Sequence, residues 1–146
     1  MAIYTDGSFC PTTILGGGGI ALVRNGSIVS GESTPFGIIH SIFEAERLEI
    51  FRVFEFIDAN ITKSMGAATI YILTDSQSPI SYLSNKHIPN SPYQYKLFRR
   101  HMFDFWKRTG IALNFGFVRG HSGGDGEESA DKLANKGRHL SGKTPY

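Results

Sequence analysis

Asn25-Gly26 sits between an apolar run at residues 20–23 and the segment 27–31. A two-residue Asn-Gly link is the strongest short-range hairpin signal. Both residues accept positive φ, and the resulting turn matches the twist of paired strands. This stretch is therefore committed to antiparallel pairing. Upstream, residues 2–9 alternate apolar with small polar residues, as a strand does. Residues 12–15 read as a turn, and four glycines at 16–19 lead into Ile20. Three antiparallel strands thus open the chain.

The next segment changes period. From Ser41 to about Asn60 there is no Pro or Gly, and helix formers dominate. Ser41 is the expected N-cap, with Glu44 three residues on completing a capping box. Residues 69–73 (TIYIL) read as a buried strand, 76–84 as a short helix with Pro79 in its first turn, and 85–92 as a loop with two prolines. A second long helix spans 93–108, stopped by Gly110. Residues 111–118 form a final strand, and 127–136 a closing helix. This order predicts an α/β fold with a mixed five-stranded sheet. Three antiparallel strands come first, and the later strands enter through helical crossovers that favour parallel pairing. In such sheets, sites gather at strand ends where the connections change direction.

A chain of 146 residues with 40% apolar content fits one domain with a real core. The sequence predicts that domain over residues 1–138, with a basic, loose tail at 139–146. No stretch approaches the roughly 18–20 apolar residues of a membrane span. The N-terminus lacks the basic start and apolar run of a signal peptide. With a single cysteine, Cys10, no internal disulfide can form. An intracellular, cytoplasmic protein is the expectation.

Four acids stand in unusual places. Asp6 lies in Thr5-Asp6-Gly7-Ser8, where Asp-Gly alone reads as a turn but the neighbours look like strand. Asp75 ends a strand and could equally cap the next helix. Within the first helix, Ile42, Phe43, Ile50, Val53, Phe54 and Ile57 share one stripe, and Glu46 falls inside it. Glu49 lies at the border of that stripe, with Glu44 and Glu55 on the far side. An acid pointed at a core is costly unless it is paired or holds a metal. Asp131 falls in the first turns of the last helix, where it could simply favour the helix dipole. Ahead of it, a flexible loop carries His121. Two hard divalent ions need closely spaced carboxylate oxygens. Phosphodiester hydrolysis uses such a pair, and a mobile histidine can move protons beside it. Charge agrees with a polyanionic partner. There are 15 Lys and Arg against 13 Asp and Glu, and removing these four acids leaves nine.

The order Thr-Asp-Gly-Ser, a Gly-rich hairpin, a helical Ala45-Glu46, Thr-Asp-Ser-Gln and Gly-His-Ser-Gly, with an Asp ten residues after the His, resembles type 1 ribonuclease H. The resemblance covers about residues 2–138. It implies a ribonuclease H-like fold with helices on both faces of the sheet. It also implies an endonuclease that cuts the RNA strand of RNA–DNA hybrids, leaving a 5′-phosphate and a 3′-hydroxyl. Asp6, Glu46, Asp75 and Asp131 would bind two Mg²⁺ ions, with Mn²⁺ as a substitute, and His121 would carry protons or release product. Ser41 would help hold a DNA-strand phosphate and Gln77 would touch the minor groove. The backbone at Gly7 and Ser8 would lie near the RNA.

The chain departs from the family at Ile42 and Phe43, where polar residues are common, and at Gly126-Glu127-Glu128, where Gly-Asn-Glu is common. Asp125 adds another acid. In the second long helix, Tyr95, Phe98, Met102, Phe105 and Trp106 read as the buried stripe. Lys96, Arg99, Arg100 and Lys107 line another face, which is either an ordinary solvated surface or one that tracks phosphates. The compact loops are similar to ribonuclease H domains of retroelement reverse transcriptases. A monomeric stand-alone enzyme is expected ahead of a domain excised from a larger reverse transcriptase. Two alternatives stay open. One is a relative that binds nucleic acid with little or no catalysis, and the other is a different polynucleotidyl transferase of the same fold.

Overall fold

A computed structural model describes residues 1–61, 69–75, 93–118 and 125–142. Strand β1 (Ala2–Cys10) pairs antiparallel with β2 (Leu15–Arg24), which pairs antiparallel with β3 (Ser27–Ile38). Asn25 and Gly26 both take positive φ, 53° and 79°, as the hairpin turn requires. The four glycines belong to β2 itself rather than leading into it. Helix α1 (Ile42–Asn60) follows, then β4 (Thr69–Thr74), α2 (Tyr93–Thr109), β5 (Ala112–Phe117) and α3 (Asp125–Ser141). Strands β4 and β5 join in parallel, giving a five-stranded sheet in the order β3-β2-β1-β4-β5. The mixed sheet expected from the sequence is therefore present. The helix expected over 76–84 and the loop at 85–92 lie outside the described residues.

The two faces of the sheet are packed in different ways. Ile3, Ile20, Leu22, Ile70, Ile72 and Leu113 meet Ile50, Val53, Phe54 and Ile57 of α1 and Phe98 and Phe105 of α2 in one apolar cluster. On the other face α3 lies almost on the strand backbone. A Cβ on Gly17 would sit 2.1 Å from Arg138 N, and one on Gly19 would sit 2.2 Å from the Ala130 carbonyl oxygen. Only glycine permits that approach, and the α3 residues beneath are small: Ala130, Ala134 and Gly137.

Local signals set the helix ends. The Ser41 hydroxyl accepts from the Glu44 amide at 3.2 Å, and the Glu44 carboxylate accepts from His40 N at 2.7 Å. That is a capping box displaced by one residue, since the carboxylate reaches past the N-cap. Gly110, with φ 76°, stops α2. Helix α3 outruns the expected 127–136 at both ends. Its final residue, Ser141, is buried, donates to Gly16 O at 2.7 Å and accepts from Gly37 N at 3.0 Å. Residues 139–141 therefore belong to the folded body, not to a loose tail, because the Ser141 hydroxyl ties the helix end to β2 and β3. Trp106 also departs from expectation. It is 51% exposed while Tyr95, Phe98 and Phe105 are buried. Helix α2 packs on the edge strand β5 and, through Phe98, against Phe51 and Phe54 of α1. Among the described residues, no helix is long and apolar enough to cross a membrane.

Candidate active site

Strand β1 is central and carries Asp6 opposite Gly19, so both face α3. Its parallel partner β4 is in register at Tyr4 and Leu73, and Asp6 and Asp75 each lie two residues beyond that pair. Asp131 enters from the second turn of α3, which the glycines of β2 allow to lie close. These three acids line one cavity of about 110 Å³, together with Tyr4, Thr74, Val118 and Lys132. Glu46 comes from the other face. The first turn of α1 rests against β1 at Gly7, where a Cβ would meet Glu46 N at 3.0 Å. A small adjoining cleft holds Glu46 with Asp6, Asp75 and Glu49. The carboxylates of Glu46, Asp75 and Asp131, far apart in sequence, thus converge on Asp6.

Their crowding has an electrostatic consequence. Burial, the Asp75 charge and a side-chain hydrogen bond to Asp131 push the Asp6 carboxyl up to about 8, against a small opposing pull from the Gly7 amide. That hydrogen bond needs a proton between two acids. The arrangement therefore keeps Asp6 protonated near neutral pH unless positive charge is supplied. Among the described residues, no group of three or more His, Cys, Asp or Glu side chains is already spaced to hold a metal ion.

The RNase H family profile matches residues 1–139. The chain belongs to the RNase H family. Solved structures of similar fold include RNase H1 from the halophilic archaeon Halobacterium salinarum, with TM-score 0.68 and 21% identity, covering 93% of this chain and 95% of that one. LC11-RNase H1 in complex with an RNA/DNA hybrid gives TM-score 0.73 and 16% identity, with 96% and 97% covered; that protein was isolated from compost by a metagenomic approach. The N-terminal RNase H domain of a Mycobacterium tuberculosis protein gives TM-score 0.69 and 14% identity, with 97% and 95% covered. No curated protein matches the chain by sequence.

The other expected site residues of this RNase H chain are distributed unevenly. Ser8 is held by α3: its hydroxyl donates to Asn135 Oδ1 at 2.8 Å and accepts from Arg138 Nε at 2.9 Å. Ser41 is half-buried and serves as the α1 cap. Lys96 and Arg100 are exposed and Arg99 is half-buried on α2, and none of the three lines either cavity around Asp6. Gln77 and His121 lie outside the described residues.

One acid beside the site was under-read from the sequence. Glu49, placed at the stripe border, is 2% exposed, whereas Glu46 is only half-buried. Its Oε1 accepts from Thr5 Oγ1 at 3.2 Å, and its Oε2 has no hydrogen-bond partner among the described residues. Burial drives its carboxyl well above the usual range. The missed signal was Gly18. A Cβ there would lie 1.6 Å from Glu49 Oε2, so the glycine leaves the space that the carboxyl fills.

Proposed function

We propose that this RNase H-family chain is an endoribonuclease that hydrolyses the RNA strand of RNA–DNA hybrids and leaves 5′-phosphate and 3′-hydroxyl ends. The observation that carries the reading is the convergence of Asp6, Asp75 and Asp131 around one cavity, with Glu46 beside it. An oxygen-only donor set fits a hard divalent cation such as Mg²⁺, with Mn²⁺ as a substitute. The raised Asp6 carboxyl fits it too, since cations relieve the repulsion that keeps a proton there. Bound ions of this kind supply an activated water and stabilise the departing oxygen.

Asp6, Glu46, Asp75 and Asp131 are assigned as the carboxylates that hold the ions. Ions held there would compete with the proton shared between Asp6 and Asp131. His121 is assigned as the mobile proton carrier or the product-release residue. Gly7 and Ser8 are placed at the RNA strand, Ser41 at a DNA phosphate and Gln77 in the minor groove. Reading 2′-hydroxyls there allows recognition of RNA without sequence preference. Lys96, Arg99 and Arg100 track phosphates along α2. The structure of LC11-RNase H1 with an RNA/DNA hybrid supports the choice of substrate class.

The test is cleavage of an end-labelled RNA–DNA hybrid with Mg²⁺, with Mn²⁺ and with EDTA, beside duplex DNA and duplex RNA. Cutting of the hybrid's RNA strand alone, lost in EDTA, is the expected result. Folded protein that binds the hybrid but leaves it intact with either ion would instead establish a binding relative.

A further inference from the structure

Helix α2 presents two unlike faces. Tyr95, Phe98 and Phe105 are buried in the core. On the opposite side, at helical spacing, stand Tyr93, Lys96, Arg100, Phe103 and Lys107, with Trp106 beside Phe103 at the edge of the buried stripe, all exposed. The three rings are 71%, 55% and 51% accessible. Phe103 and Trp106 lie 5.9 Å apart at 38°, and the Lys107 ammonium sits 5.6 Å from the Phe103 ring centroid. Asp104 is the only acid in the helix.

We propose that this face binds an unpaired nucleic-acid strand by stacking bases on Tyr93, Phe103 and Trp106 while Lys96, Arg100 and Lys107 meet its phosphates. Alternating cations and accessible rings match a polyanion that carries free π-faces. Within a duplex those faces are covered by neighbouring bases, so phosphate tracking alone leaves three exposed aromatic rings unexplained. A second copy of the chain fits poorly, because a two-fold contact would press this row of cations against itself.

The direction of α2 places the surface. Strand β5 begins three residues after α2 ends, so α2 runs antiparallel to β5 and starts at the end of the sheet that carries Asp75. From Tyr93 to Trp106 the row runs roughly 20 Å away from that end. A single strand leaving the acid site can follow it. Its source, the unpaired stretch beside a hybrid, rests on the proposed cleavage reaction, whereas strand binding itself does not.

Trp106 is the only tryptophan in the chain, so its emission reports on this face alone. The full chain in EDTA is titrated with a thymidine oligonucleotide of about 12 nucleotides, enough to span the row. A saturable quench is expected, stronger than with blunt duplex DNA of equal length and lost as salt rises. Phe103→Ala should weaken binding about 5- to 150-fold, the equivalent of one lost stack. Phe103→Tyr should restore it, with circular dichroism confirming that both variants fold. No quench, or an affinity unchanged in Phe103→Ala, overturns the proposal. So does a quench produced by self-association in sedimentation, or by anionic vesicles and not by the oligonucleotide. Hybrid cleavage by the same preparation separates failure of this surface from failure of the cleavage reading.

Discussion

Gly19→Ala tests the link between the glycine run and the acid site. The added methyl would sit 2.2 Å from the Ala130 carbonyl oxygen, 2.4 Å from Ala134 N and 2.9 Å from Leu133 C. All three atoms are α3 backbone, so no side-chain rotation relieves the clash. Real Cβ atoms essentially never approach closer than 3.0 Å, and α3 must therefore lift by at least 0.8 Å, the difference between 3.0 and 2.2. Overpacking of this kind costs about 1–3 kcal/mol, with the upper end expected where backbone must move. Asp131 follows Ala130 directly, and Asp6 faces Gly19 across the β1–β2 ladder. The lift therefore separates the two carboxyls, and a displacement near 1 Å in a catalytic site costs roughly 100-fold in rate. Urea unfolding and hybrid cleavage measure the two effects. Gly31→Ala is the control, because its methyl crowds the Leu133 Cδ1 methyl at 2.9 Å, at the far end of a flexible side chain, and meets the Ile20 carbonyl oxygen at an ordinary 3.4 Å. It should change stability by no more than about 0.5 kcal/mol. A Gly19→Ala protein as stable and as active as the parent would refute the close seating of α3 on β2.

Three further outcomes are expected. Asp75→Asn should abolish Mg²⁺-dependent cleavage in a protein that stays folded. It should also lower the Asp6 pKa from about 8, because the Asp75 charge is among its causes, and NMR titration in EDTA reads that shift; full activity would overturn the site assignment. Glu49→Gln should flatten the pH dependence of stability. The folded protein holds the Glu49 proton that the unfolded chain releases above about 4.5, so the parent loses stability as pH rises from there through the raised folded pKa. The slope is about 1.4 kcal/mol per pH unit for one proton. Asp6 adds a slope of the same sign between 3.8 and about 8. Urea midpoints across pH in EDTA should show the variant flatter, and parallel curves would show that Glu49 ionises normally. His121→Ala should slow single-turnover cleavage while leaving some activity, and complete loss would assign the histidine more than proton transfer.

Family membership was legible because its marks are local. Asp6 and Asp75 sit at recognisable strand positions, and Ser41 with Glu44 announces the helix that carries Glu46. Glu49 was not legible in the same way. Helical geometry put it on the border of the apolar stripe because the stripe was drawn from large residues, two of which, Ile42 and Phe43, are exposed at the helix start. Burial of Glu49 depends on what lies opposite, and Gly18 is 31 residues away in sequence. Trp106 shows the same limit in reverse. Its spacing suits a buried stripe, yet the packed helix leaves its ring half accessible.

The sequence alone determined the elements that close on themselves: the Asn25-Gly26 hairpin, the capped α1, and the glycine stop of α2 at Gly110. Each depends on φ preferences or on hydrogen bonds within a few residues, and these are properties of the local chain. It also singled out candidate acids, though not Glu49, because a carboxylate in a strand or on an apolar face is costly wherever the rest of the chain goes. Only the tertiary structure decided how close α3 comes to β2 and which carboxyls share a proton. Only it decided that Ser141 is tied into the folded body and that one face of α2 stays open. Those outcomes depend on distances between segments far apart in the chain, and such distances are set when the sheet and helices pack together.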